Sequence, residues 1–175
     1  MHQPTIKSTR LILRPFQLDD AFSVQNLAGD KLIAATTANI PHPYPNGAAE
    51  AWIQAHPENW ERGETATFAI QLKGLRKVIG AISLMDIATD SAEIGYWVGV
   101  PYWGNGYCSE AVSAVVAFAF SGLALRCVTA MHLQSNPASG KVLQKCGFSC
   151  TGVDIQKPWK SDTFATVDTY EIRLT

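Results

Sequence analysis

The stretch Glu93–Ala111, EIGYWVGVPYWGNGYCSEA, constrains this chain more than any other. Its aromatic and branched residues up to Gly99 predict a strand. Pro101 marks a short turn, and Gly104-Asn105-Gly106 then opens straight into a helix predicted over Tyr107–Phe120. Glycines between a strand and a helix start leave backbone N–H groups unobstructed, with the helix dipole behind them. Such a turn is an anion site that a diphosphate fits, and Ser109 is placed to add a hydroxyl. The same glycines also suit a tight turn that only needs left-handed backbone. The stretch is neither a P-loop, since the lysine and the serine or threonine are missing, nor a dinucleotide fingerprint, since the third glycine is missing.

The rest of the composition narrows the class. With 175 residues the chain fits one domain, 1–175, that buries roughly 70% of its unfolded surface without a disulfide or metal. Hydrophobic residues at 47% against charged residues at 17% are incompatible with disorder. A net charge of −1 and the lack of a basic run argue against nucleic acid or an acidic membrane as partner. No apolar run approaches the roughly 18 residues of a membrane span. Cys108, Cys127, Cys146 and Cys150 form no CxxC pair, so the spacing argues against zinc. Free thiols in a reducing cytoplasm are the expectation.

Periodicity supplies the remaining elements. Strands are predicted over 10–16, 65–72, 77–85, 91–99, 126–133, 148–155 and 164–174. Helices are predicted from Asp19 to Ala28, from Gly47 to Glu61, from Tyr107 to Phe120 and from Pro137 to Lys145, the last capped by Gly147. Trp52, Trp60, Phe118 and Phe120 fall on core-facing helical positions. The order predicts an α+β (mixed α/β) fold, with a mixed, mostly antiparallel sheet of about seven strands flanked by about four helices. The loop Ile40–Gly47 carries His42 and Tyr44 and is long enough to fold over a cleft. An uncovered edge at the last strands leaves monomer and homodimer both open.

These residues resemble the GNAT superfamily of acetyltransferases. Its cofactor motif, Gln/Arg-x-x-Gly-x-Gly/Ala, falls on Trp103, Gly106 and Cys108. Residues 9–21 (TRLILRPFQLDDA) look like the entry strand and first helix of the Rim-type branch, which acetylates ribosomal-protein N-termini. Residues 136–148 (NPASGKVLQKCGF) look like the second cofactor segment. The resemblance implies a GNAT-like sheet and direct transfer of acetyl from acetyl-CoA to an amine, most simply a protein or peptide N-terminal α-amine. A small-molecule amine acceptor, or an idle acyl-CoA sensor, are the alternatives. It also implies a cofactor site on Trp97, Val98, Gly99, Val100, Trp103, Gly104, Asn105, Gly106, Tyr107, Cys108, Ser109, Asn136 and Ser139. In the family the strand ending in Val100 carries a bulge beside the pantetheine arm. Trp103 and Cys108 depart from the motif, and the position of the family's tyrosine acid is Leu143.

Acyl transfer needs a neutral amine, a polarised carbonyl and a stabilised leaving thiolate. An α-amine, with a pKa of about 7.7–8.0, asks little of a base. A lysine near 10.4 asks roughly 4–5 kcal/mol. By resemblance to the Rim-type branch, Ser139 is the group that would meet the departing sulfur, although a helix-start serine also caps free N–H groups. For the base, Glu93 sits unusually inside a strand, on one face with Gly95 and Trp97. Asp168 is the rival, at the end of a row with Tyr170, Ile172 and Leu174. A glutamate used by some relatives just before the last strand is not evident in KPWKSD. His132 reads as a satisfied structural histidine. A covalent acyl-Cys108 path lacks a neighbouring histidine in sequence.

Overall fold

The computed structural model describes residues 2–160 and 163–174. Ser161 and Asp162, the end of the KPWKSD segment, lie outside the described residues. Eight strands run β1 (Ile6–Lys7), β2 (Leu11–Arg14), β3 (Ala66–Leu72), β4 (Lys77–Met85), β5 (Ser91–Val98), β6 (Cys127–Leu133), β7 (Ser149–Trp159) and β8 (Thr163–Arg173). The described residues form five α-helices, α1 (Ala21–Ala28), α2 (Lys31–Thr36), α3 (Ala48–Glu61), α4 (Tyr107–Ser121) and α5 (Pro137–Lys145). All strands lie in one sheet of order β1-β2-β3-β4-β5-β6-β8-β7. Every neighbouring pair is antiparallel except β5 and β6.

The expected mixed, mostly antiparallel sheet of about seven strands flanked by about four helices is found, with one further strand and one further helix. Both additions are short. β1 is two residues pairing with β2, and α2 is six residues capped by the Asp30 side chain on Leu32 N–H at 2.9 Å. Asp19 and Asp20 close a 3-10 turn, Leu18–Asp20, ahead of α1 rather than opening the α-helix itself. Asp20 turns back onto Arg14 of β2, with Nη1–Oδ2 at 2.8 Å and Nη2–Oδ1 at 2.9 Å. That bidentate pair ties the helical layer to the sheet.

The sheet divides two apolar layers. On one face α4 lays Ala111, Val112, Val115 and Ala119, all fully buried at helical spacing, against Leu13, Phe68, Ile82, Ile94 and Val128. Phe118, Phe120 and Trp60 pack at the margin of this core. Each fully buried Leu, Ile, Val or Phe contributes about 1.5–3 kcal/mol, so this layer fixes α4 and with it the glycine turn before it. On the other face α1 and α3 form a smaller cluster of Ala21, Val24, Ala28, Ala49 and Ile53, with Trp52 and Trp97 against it.

β4 and β5 approach unusually closely at Gly80. A Cβ there would lie 2.2 Å from the Trp97 carbonyl oxygen and 2.9 Å from Val98 Cα. Both are backbone atoms, so no side-chain rotation relieves the clash. Gly80→Ala should therefore cost about 1–3 kcal/mol by overpacking, read as a lower urea midpoint. An unchanged midpoint would mean that the two strands are free to separate there.

Candidate active site

The site begins where the sheet comes apart. β5 pairs with β6 only from Ser91/Cys127 to Glu93/Thr129. Beyond that, β6 continues on β8 as far as Leu133/Val167, while β5 stays with β4 as far as Val98/Gly80. The second half of β5 thus loses its parallel neighbour. The Trp103 indole N–H donates to the Val98 carbonyl at 2.6 Å, so that carbonyl points away from β4. Alternation along the strand aims the N–H and C=O of Tyr96 the same way, into the gap. The β4–β5 ladder shows no register shift, so the expected bulge in β5 is absent; a shift occurs instead between β3 and β4 at Ile70/Gln71.

A cavity of about 900 Å³ passes through this gap and reaches both faces of the sheet. Trp97, Val98, Trp103, Gly104, Gly106, Tyr107, Cys108, Ser109, Asn136 and Ser139 line it. Gly99, Val100 and Asn105 do not. Gly99 lies under Leu27 of α1, where a Cβ would come 2.7 Å from Cδ2. Val100 begins a 3-10 turn. The Asn105 amide ties the loop by donating to the Tyr102 and Trp103 carbonyls at 3.1 and 3.0 Å.

Gly104 and Gly106 have φ of 76° and 77°, the left-handed conformation glycine allows most cheaply. No side chain caps α4, so its first-turn N–H groups stay open to the cavity. Arg10 braces this turn from across the sheet. Its guanidinium donates to the Asn105 carbonyl at 2.9 Å, meets Glu110 at 2.7 Å and lies 4.7 Å from the Tyr107 ring centroid. Burial works against the Glu110 carboxylate. Hydrogen bonds from the Arg10 N–H, Ser8 and the Arg10 guanidinium outweigh it and hold its pKa below the usual range. A smaller cavity of about 300 Å³ beside the turn is lined by Arg10, Ser109 and Lys145, among others. An open helix start with two cations at its rim suits a diphosphate. The gap beside it offers unpaired backbone to an amide-bearing arm. The residues present therefore fit coenzyme A.

On the α4–α5 face of the gap, Tyr96 Oη lies 2.9 Å from Ser139 Oγ and donates to the Ser139 carbonyl at 3.2 Å. Ser139 spends its hydroxyl here rather than on a helix-start N–H. Asn136 occupies the position before α5, but its side chain makes no capping bond. Burial, opposed by the Ser139 hydrogen bond, raises the Tyr96 pKa, so the phenol keeps its proton at neutral pH. Cys108 is also pushed up, to about 12, by burial and then by Cys146. That removes the thiolate an acyl-cysteine path would need. Leu143, at the family's tyrosine position, is fully buried in the core.

Glu93 lines the cavity on the opposite face, in one row with Gly95 and Trp97. Burial raises its pKa; Lys157 opposes that and Asp86 adds to it. Asp168 does not line the cavity. It lies on the other face, where its Oδ1 accepts from the Gln134 Nε2 amide at 2.8 Å and its Oδ2 sits 3.6 Å from His132 Nε2. His132, which also lines the cavity, is buried between Asp168, Tyr170 and the Leu133 carbonyl. The structure thus joins Glu93 and Ser139 to one cavity and leaves Asp168 outside it. Sequence reasoning missed Tyr96, although its parity on β5 sets it opposite Glu93. It also missed α2 and Trp159, which line the cavity from distant parts of the chain.

Comparison with known proteins agrees with this geometry. A family model described as an acetyltransferase (GNAT) domain matches residues 10–149. The uncharacterized N-acetyltransferase YoaA of Bacillus subtilis is 28% identical over 171 residues, covering 97% of this chain and 96% of that protein. The ribosomal-protein-serine acetyltransferase of Escherichia coli is 33% identical over 121 residues, covering 67% of this chain and 66% of that protein. Among solved structures, the ribosomal L7/L12 alpha-N-protein acetyltransferase RimL in complex with coenzyme A superposes with a TM-score of 0.88 at 19% identity, covering 98% of both chains. With a motif-bearing turn, a split sheet and a family match over most of its length, the chain belongs to the GNAT acetyltransferases, enzymes that use acetyl-CoA as acyl donor.

Proposed function

We propose that this enzyme acetylates an N-terminal α-amine of a protein or peptide, with Glu93 as base and Tyr96 and Ser139 as the proton-holding pair. The observation that carries this reading is the single cavity that exposes Glu93 on one face of β5 and Tyr96–Ser139 on the other. Acetyl-CoA supplies the thioester carbonyl. The turn Gly104–Gly106 and the first N–H groups of α4 hold its diphosphate, and Trp103 orients the end of β5. Glu93 takes the proton from the entering ammonium. Tyr96 Oη, bonded to Ser139 Oγ, holds a proton where the departing sulfur needs one. A raised carboxylate pKa lies closer to the α-amine than to lysine, which favours the α-amine acceptor. The ribosomal-protein acetyltransferases among the relatives support the same choice.

Calorimetric titration with acetyl-CoA is the direct test of the donor site. The wild type should bind at micromolar concentrations. Gly106→Glu, which sets a carboxylate against the diphosphate, should abolish binding with the circular dichroism spectrum intact. Equal binding by the variant would move the donor elsewhere. For the acceptor, a peptide with a free N-terminus should be acetylated, whereas the same peptide with a blocked N-terminus and an internal lysine should not.

Glu93 carries a prediction in pH. kcat/KM should rise through a limb above the ordinary carboxylate range, and Glu93→Gln should remove that limb and lower kcat/KM by about 10²–10⁴-fold. The sign for stability is opposite. A raised pKa means the folded chain binds this proton more tightly than the unfolded chain does. The stability it brings is present below the ordinary carboxylate pKa and is lost as pH rises through the raised value. Near pH 7.5 Glu93→Gln should therefore unfold at an equal or higher urea concentration. A less stable variant would show that the carboxylate is structural.

Tyr96→Phe keeps the ring and removes the proton. It should lower kcat by about 10-fold or more with little change in KM. A change in KM alone would reduce Tyr96 to packing.

A further inference from the structure

Resting on the acetyl-transfer site proposed above, we infer that the acceptor pocket selects an amine carried on a large apolar body, such as an N-terminal Leu, Met or Phe. The half of the cavity on the α1–α3 face is walled by Val24, Ala28, Ile33, Tyr44, Trp52 and Trp97. Three of its hydroxyls are spent inside the fold, and the Tyr44 phenol adds a neutral polar group to an otherwise apolar wall. Thr36 donates to the Leu32 and Ile33 carbonyls, Thr37 donates to the Ile33 carbonyl at 2.8 Å, and Ser83 pairs with Thr67 at 3.0 Å.

Among the described residues, Glu93 is the one charged side chain that lines this half. It is committed to the reacting ammonium. Lys157 and Asp86 act on Glu93 at a distance and do not line the cavity. A second charge on the acceptor would therefore enter without a partner, and an unpaired buried charge is strongly disfavoured. An acidic first residue, a polyamine or an aminoglycoside each brings such a charge. An apolar body instead leaves water for an apolar wall, the ordinary basis of pocket affinity.

The pocket also has a roof. Lys160, at the tip of the β7–β8 hairpin, donates to the Ala34 carbonyl at 2.6 Å and to the Ile40 carbonyl at 3.2 Å. This ties the hairpin to the end of α2 and to the following loop. The neighbouring Trp159 then lines the cavity opposite Glu93's strand. Lys160 does not line the cavity, and two of its three N–H donors are given to these carbonyls, so its ammonium faces the tie rather than the acceptor. The roof adds an aromatic surface where the acceptor's body would lie.

The test is a set of peptides differing only in the first residue: Leu, Phe, Ser, Asp and Lys. kcat/KM for Leu and Phe should exceed that for Ser by about 10-fold or more, and Asp and Lys should be slowest. Ten-fold corresponds to about 1.4 kcal/mol. Trp159→Ala should shrink the Leu-to-Ser ratio. Ser, Asp or Lys peptides acetylated as fast as Leu would overturn the inference and leave the α-amine reading standing. Phenethylamine and spermidine separate the remaining cases. If all peptides are silent while phenethylamine is preferred to spermidine, the α-amine reading fails and the apolar selection holds. Preference for spermidine, or silence with every amine, overturns the inference.

Discussion

The parting of β5 from β6 is the constraint on which the rest of this structure depends. Three residue pairs hold the strands together, from Ser91/Cys127 to Glu93/Thr129, and then each strand keeps only its outer neighbour. A sheet that opens inside a folded domain leaves backbone N–H and C=O groups without partners. Such groups are costly unless something else satisfies them. Trp103 answers one of them, by donating its indole N–H to the Val98 carbonyl. The motif's usual Gln or Arg is therefore replaced by a residue with a task of its own. The groups of Tyr96 remain for a polar, extended ligand arm. The apolar α4 layer holds the wedge open, since moving α4 would expose Val112 and Val115.

A split sheet gives a single strand access to two environments. Residues of β5 alternate between faces, so Glu93 and Trp97 look toward α1 and α3 while Tyr96 looks toward α5. In a closed sheet these faces would be isolated from each other. Here the gap joins them, and the acid and base proposed above, three residues apart, face one cavity from opposite sides. Burial raises the pKa of both, which keeps the Tyr96 phenol protonated and brings the Glu93 carboxyl above its ordinary range.

What was legible in the sequence was local. The glycine turn, α4, α5 with Gly147 behind it, and the hairpin strands all follow from period and from capping chemistry within a few residues. What was not legible was assembled across distance. Arg10 and Glu110 lie about 100 positions apart, and nothing in either segment announces the other. Lys160 reaches the carbonyls of Ala34 and Ile40 in the same way. α2, six residues long, is too short to establish a helical period. Tyr96 is a different kind of miss. Its parity was readable from the same alternation that singled out Glu93. The family's tyrosine position on α5 is Leu143, a core residue, whereas Tyr96 stands on β5, where the family motif places none.

The apolar character of the acceptor half has two consequences that reinforce each other. Burial in this apolar cavity denies Glu93 the solvation it would have in water, and its pKa rises. A base whose pKa moves toward that of its partner holds and releases a proton with less driving force wasted. Under the inference drawn above, the walls of the same cavity accept the apolar part of a substrate and reject a second charge. Making the pocket more polar would then weaken both effects together. It would solvate Glu93, return its pKa to the ordinary carboxylate range, and admit acceptors that the present lining excludes. If Glu93 is the base, base strength and substrate choice are thus set by one property of the pocket, and neither can be tuned without the other.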